Sequence, residues 1–180
     1  SWGYMIRSGA TSIWERWYSR RPELPEDAIC PPGQGPGFDK NTPPGKNSAC
    51  HPALGAVGQW MVESIGGISP QEPGFKTVRI KPLPDPRIGH ADVAYLSPRG
   101  NIRSAWLYEG DRLRLEVEIP ANTRAEIWVP ARRPGDVSAS GDTALLSGPC
   151  PEEGFTVFTA PGGTYGFTSA GSAQAPAGGA

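Results

Sequence analysis

Leu113-Arg-Leu-Glu-Val-Glu-Ile119 decides the fold of most of this chain. Apolar and charged residues alternate strictly, so in a strand Leu113, Leu115, Val117 and Ile119 face one way and the charges the other. A helix would scatter the same residues around its circumference, which makes this a half-buried β-strand. Working outward, Glu109-Gly-Asp111 makes the preceding turn and residues 101–108 the preceding strand. Residues 91–96 form another strand, closed by Ser97-Pro-Arg-Gly100, and residues 75–80 another, closed by Pro82. Downstream, residues 125–129, 155–158 and 163–168 have the same character, while Ser138-Ala-Ser-Gly141 reads as a turn. Short strands at regular intervals between Gly and Pro turns predict an antiparallel β-sandwich over residues 69–168. Residues 169–180 are Ala, Gly, Ser and Pro, with one Gln. They lack apolar area for a core and read as a disordered tail.

Upstream of the sandwich the period changes. Leu54, Val57, Trp60, Met61 and Ile65 recur at helical spacing. Asn47 or Ser48 can cap this helix, Pro52 suits its first turn, and Gly66-Gly67 stops it. Gly55 and Gly58 each cost about 1 kcal/mol of helix propensity, which suggests close packing against a neighbour. One helix cannot bury its own stripe, so its partners are expected upstream or in another chain. Residues 20–46 hold seven Pro with no useful period and read as a long loop. Before that loop, one or two helical turns are expected to end at Gly9. Residues 11–17, Thr-Ser-Ile-Trp-Glu-Arg-Trp, read as extended, with Ile13, Glu15 and Trp17 on one face.

Composition narrows the function. Seventeen Lys and Arg against eighteen Asp and Glu give a net charge of −1, so no basic field exists for nucleic acid. No apolar run approaches a membrane span, and none is expected to act as one. Three cysteines, Cys30, Cys50 and Cys150, suit neither a disulfide framework nor a zinc site, though Cys30 and Cys50 could bridge. No His, Cys, Asp or Glu spacing supports a metal, and no Gly-rich stretch is followed by the Lys-Ser/Thr of a phosphate cradle. No cofactor is expected. The chain opens inside patterned sequence at Ser1-Trp2-Gly3-Tyr4 and reads as an internal or C-terminal piece of something longer.

Glu15 is the first candidate for chemistry. A carboxylate between Trp14 and Trp17, near Tyr4, matches what sugar hydrolysis needs. Aromatic faces hold the apolar side of a pyranose, and a carboxylate activates water at the anomeric carbon. The alternative is an exposed acid pairing with Arg16 or Arg20. His51, at the start of the helix, could donate to a ligand hydroxyl; the alternative is a local cap or a surface histidine. His90 reads as structural and Glu63 as solvated. Trp106, Tyr108, Trp128 and Phe158 could form a sugar platform, although such residues more often fill a sandwich core.

Three ordered stretches resemble the bacterial-type α-L-rhamnosidases, glycoside hydrolase family 78. Ser1-Trp-Gly-Tyr-Met-Ile-Arg-Ser-Gly-Ala-Thr-Ser-Ile-Trp-Glu-Arg-Trp17 resembles their late catalytic-domain signature. His51-Pro-Ala-Leu-Gly-Ala-Val-Gly-Gln-Trp60 is similar to their helix motif. Gly67-Ile-Ser-Pro-Gln-Glu-Pro-Gly-Phe-Lys76, with Ile80-Lys-Pro82, is similar to the junction into the C-terminal sandwich. The chain departs from the pattern at Tyr18, Cys50 and Pro52. The resemblance implies an α + β multi-domain fragment: the last elements of an (α/α)6 barrel over residues 1–68, then the sandwich. It implies inverting hydrolysis of terminal α-L-rhamnosyl groups on glycosides or polysaccharides. Glu15 would be the general base, with His51 on the sugar, and Trp17, from the aromatic pattern around Glu15, is read as a second sugar contact. The general acid and the rest of the barrel would lie upstream, leaving this piece alone inactive. A different reading is a non-catalytic carbohydrate-binding or scaffold module built on the sandwich.

Overall fold

The computed structural model describes residues 2–15 and 50–170. The chain divides into two compact units, Ser1–Gly58 and Gln59–Ala180.

In the first unit, α1 (Trp2–Arg7) ends as the sequence predicts. Gly9 takes φ of +71°, the left-handed conformation that glycine adopts without strain. The Ala10 N–H donates to the Met5 carbonyl and the Gly9 N–H to that of Ile6, a paired C-terminal closure. Residues 11–15 form bends and not the expected strand. Their partners explain this. No sheet lies alongside among the described residues; the Ile13 carbonyl instead accepts from the His51 N–H at 2.8 Å. The Trp2 indole donates to the Leu54 carbonyl at 2.9 Å, joining α1 to the same turn.

The predicted helix after residue 50 is three short pieces: a 3-10 turn (Ala53–Gly55), α2 (Val57–Trp60) and a π turn (Met61–Ile65). Its expected caps at Asn47 and Ser48 lie outside the described residues. The two glycines account for part of the break. Gly58 has no neighbour within 4 Å of an added Cβ among the described residues, where the sequence predicts close packing, and its helix-weakening freedom remains. At the far end the Gly66 N–H reaches back to the Met61 carbonyl, the wider spacing of a π turn. The apolar stripe is broken too. Val62 and Ile65 pack on the sandwich core, while Trp60 and Met61 are 53% and 50% exposed.

The second unit is the sandwich. One sheet runs β1 (Ile68–Pro70), β2 (Thr77–Ile80), β6 (Arg124–Pro130), β9 (Phe155–Ala160) and β8 (Ser147–Glu152). The other runs β3 (His90–Ser97), β4 (Gly100–Glu109), β5 (Arg112–Ile119), β10 (Gly163–Ala170) and β7 (Val137–Gly141). β5 behaves as its alternation dictates, with Leu113, Leu115, Val117 and Ile119 buried. Beside them in the same sheet stand Tyr165 and Phe167 of β10, and opposite them Ala125, Ile127, Val129, Phe158 and Ala160 of the first sheet. Burying such a set is the main stabilising term, about 1.5–3 kcal/mol for each large side chain. The outward charges of the second sheet are tied across strands. Arg103 on β4 reaches Asp92 on β3 at 2.8 Å and Glu118 on β5 at 3.2 Å. Its guanidinium holds the Asp92 carboxyl below the usual carboxylate range.

The sandwich departs from expectation in three respects. β1, β7 and β8 were not foreseen. β8 carries Pro149 and Pro151, which suit an edge strand but read as breakers, and β7 lies where a turn was expected. Not every pair is antiparallel: β2 and β6 run parallel, because the chain crosses to the other sheet for β3–β5 before returning. The tail begins later than expected, since Ser169 and Ala170 belong to β10. Ser169 is buried, its hydroxyl donating to the Pro130 carbonyl at 2.5 Å. The rest of the tail, residues 171–180, lies outside the described residues.

Gly67 is where the backbone demands glycine. Its φ is +72°, and a Cβ there would stand 2.1 Å from the Pro82 nitrogen. Its carbonyl accepts from the Lys81 N–H at 2.9 Å, joining β1 to the end of β2. Gly67→Ala is therefore expected to destabilise the sandwich by about 2 kcal/mol or more. A urea unfolding curve with an unmoved midpoint would contradict this.

Candidate functional site

The candidate residues that can be placed together lie in the first unit. Trp14 is 3% exposed, its ring meeting Tyr4 edge-on with centroids 6.3 Å apart. Burying an indole fixes the backbone on both sides of it. The next residue, Glu15, is half-buried. His51 is half-buried as well, and its backbone N–H is bonded to the carbonyl of Ile13, two residues before Glu15. Two segments more than thirty residues apart in sequence are thus joined beside the candidate base. The turn is shaped by Pro52, which stands before the 3-10 turn with φ of −74°, its carbonyl accepting from the Gly55 N–H. Ile13 lies against Gly55, where a Cβ would be 3.7 Å from its side chain, an ordinary contact.

The His51 imidazole is oriented by this turn. Its Nδ1 accepts from the Ala53 N–H at 3.2 Å. A neutral imidazole whose Nδ1 accepts carries its proton on Nε2. The local contact expected as the alternative to ligand binding is therefore present, and it leaves Nε2–H as a donor. The two roles are compatible. Spacing alone could not reveal this, because it depends on the backbone of Pro52.

Other candidates are placed elsewhere or not at all. Trp17, Arg16, Arg20, Cys30 and the Pro-rich stretch lie outside the described residues. Trp106 and Phe158 are core and present no platform; Tyr108 packs partly against that core. Trp128 alone of these four belongs to the outward series of its strand. His90 is exposed at the start of β3, and Glu63 accepts from Gln59 at 2.9 Å in an exposed position. Among the described residues no three His, Cys, Asp or Glu side chains gather as metal ligands. No helix there is long and apolar enough to cross a membrane.

Comparison with known proteins covers both units. The bacterial α-L-rhamnosidase six-hairpin glycosidase domain matches residues 1–65, and the bacterial α-L-rhamnosidase C-terminal domain matches residues 67–144. An α-L-rhamnosidase of Streptomyces avermitilis is 35% identical over 168 residues, 93% of this chain but 14% of its own length. One from Formosa agariphila is 39% identical over 130 residues, 72% of this chain and 12% of its own. The crystal structure of the Streptomyces avermitilis enzyme complexed with L-rhamnose superposes with a TM-score of 0.70 at 33% identity, over 93% of this chain and 14% of that one. The chain thus spans about one seventh of the length of the first of these relatives. With one domain model following the other along most of its length, the chain belongs to the bacterial α-L-rhamnosidase family.

Proposed function

We propose that this chain is the C-terminal part of an inverting α-L-rhamnosidase, with Glu15 as general base. In this reading residues 1–68 complete a helical barrel whose other elements belong to the same longer protein, and residues 69–168 are its appended sandwich. The observation that carries the reading is the pairing at the candidate site: half-buried Glu15 follows buried Trp14, and the His51 backbone is bonded two residues away.

The chemistry follows from inversion. A water lies between the Glu15 carboxylate and the anomeric carbon of a terminal rhamnosyl unit. As the water oxygen bonds to that carbon, Glu15 takes its proton, and the bond to the leaving oxygen breaks with protonation from an acid on the opposite face. The carboxylate also stabilises the positive charge developing on the ring. His51 Nε2–H donates to a sugar hydroxyl, fixing the ring relative to the base. Trp17, two residues after Glu15, supplies an aromatic face for the ring. The substrate is a rhamnose-containing glycoside or polysaccharide.

An inverting site needs its two carboxyl groups roughly 6.5–9.5 Å apart. No second candidate stands out in residues 1–68, so the acid is assigned to the remainder of the protein. The 180-residue chain alone is expected not to hydrolyse a chromogenic aryl α-L-rhamnoside above the buffer rate, whereas the full-length protein does. Turnover by the short chain would refute the assignment of a missing acid. An inactive full-length protein would refute the enzymatic reading itself.

A further inference from the structure

The outer face of the first sheet carries a cluster that the core does not require. Along β6, Ala125, Ile127 and Val129 are buried, and Glu126 and Trp128 belong to the alternate, outward series. Half-buried Trp128 meets Phe155 of β9 edge-on, with ring centroids 5.7 Å apart. The Lys81 ammonium, just beyond β2, lies 4.2 Å from the Trp128 centroid and 4.6 Å from that of Phe155. Arg79 approaches the same indole at 5.4 Å, but its charge is engaged by Glu126 at 3.3 Å. Among the described residues Lys81 has no carboxylate partner; its attractive contacts are the two rings. The Trp128 indole N–H is buried and meets no acceptor there.

We infer that Lys81, Trp128 and Phe155 form a binding site for a carboxylate-bearing sugar, a uronate unit of an acidic glycan. Two features converge on that ligand. An ammonium held only by aromatic faces gains more from a carboxylate, whose charge-assisted hydrogen bonds are the stronger contact. Once drawn toward a carboxylate, it uncovers an indole face on which the apolar C–H face of a pyranose packs. A neutral sugar provides the stacking surface but nothing to draw the ammonium away, so the site selects the acid. This inference stands apart from the proposed hydrolysis: it uses other residues and no catalytic step.

The test follows the Trp128 indole N–H signal in the 15N-labelled 180-residue chain, identified by its loss in Trp128→Phe. Digalacturonate is expected to shift this signal saturably, with weaker binding at high salt. The neutral disaccharide galactobiose and acetate are expected to leave it in place. Lys81→Gln should weaken binding about tenfold, and Lys81→Arg should retain it, with the amide spectrum of each reporting that it is folded. No shift with digalacturonate would overturn the site, as would a salt-independent affinity or an equal shift with acetate. Wild-type affinity in folded Lys81→Gln would overturn it too. If the lysine variants fail to fold, the salt dependence and the two control ligands still decide on wild-type protein. Because the readout is binding at Trp128, failure here leaves the assignment of Glu15 untouched, and loss of activity at Glu15 leaves this site untouched.

Discussion

Glu15→Gln in the full-length protein is expected to lower rhamnoside turnover by about 10³-fold, the usual contribution of a general base, while the protein stays folded. The amide is close in shape to the carboxylate, so the packing of Trp14 against Tyr4 and the bond between Ile13 and His51 have no reason to change. What is lost is the acceptor for the water proton and the negative charge beneath the anomeric carbon. Substrate binding relies on His51 and the aromatic faces in this reading, so the loss should fall on kcat more than on KM. Azide separates a base from a merely structural residue. In Glu15→Ala it can attack the anomeric carbon without being deprotonated, and the acid on the other face still protonates the leaving group. Partial recovery of leaving-group release with azide, together with an inverted glycosyl azide, is expected. Wild-type turnover by Glu15→Gln would remove the residue from the mechanism.

How much of this was legible in the sequence depends on whether the deciding contact is local. β5 was plain because a strand between a core and solvent must alternate, and its eight residues do so without exception. β8 was hidden by Pro149 and Pro151, since a proline reads as a breaker until one knows that the strand lies at an edge. The parallel pairing of β2 with β6 joins residues almost fifty positions apart, and no local pattern records it. For the tryptophans the signal was uneven. Alternation puts Trp128 on the face of Glu126, away from Ala125, Ile127 and Val129, whereas Trp106 shares its face with Ser104 and Tyr108 and lies between Ala105 and Leu107, which mark neither side. For Trp106 the pairing with buried Leu115 of β5 decides. At the candidate site Glu15 and His51 were legible as a motif, whereas the link through Ile13 and the proton position on His51 required the fold.

Trp106→Ala is expected to cost the sandwich about 4 kcal/mol, the largest stability effect of any substitution considered. The side chain is 2% exposed, and no small movement of two hydrogen-bonded sheets can close the space it leaves. Its Nε1 also donates to the Ile65 carbonyl at 2.8 Å, so truncation removes the link between β4 and the π turn together with the apolar area. Trp106→Phe separates the two contributions. It keeps much of the ring but no N–H, leaving the Ile65 carbonyl without that donor, and is expected to cost about 1–3 kcal/mol from that source. Native domains are stable by only about 5–15 kcal/mol, so the alanine variant should unfold at markedly lower urea concentration and the phenylalanine variant between it and wild type. If both variants lost equally little, the indole would be dispensable as filler. Were the phenylalanine variant as damaged as alanine, the hydrogen bond to the π turn, and not the buried area, would be what holds this end of the sandwich closed.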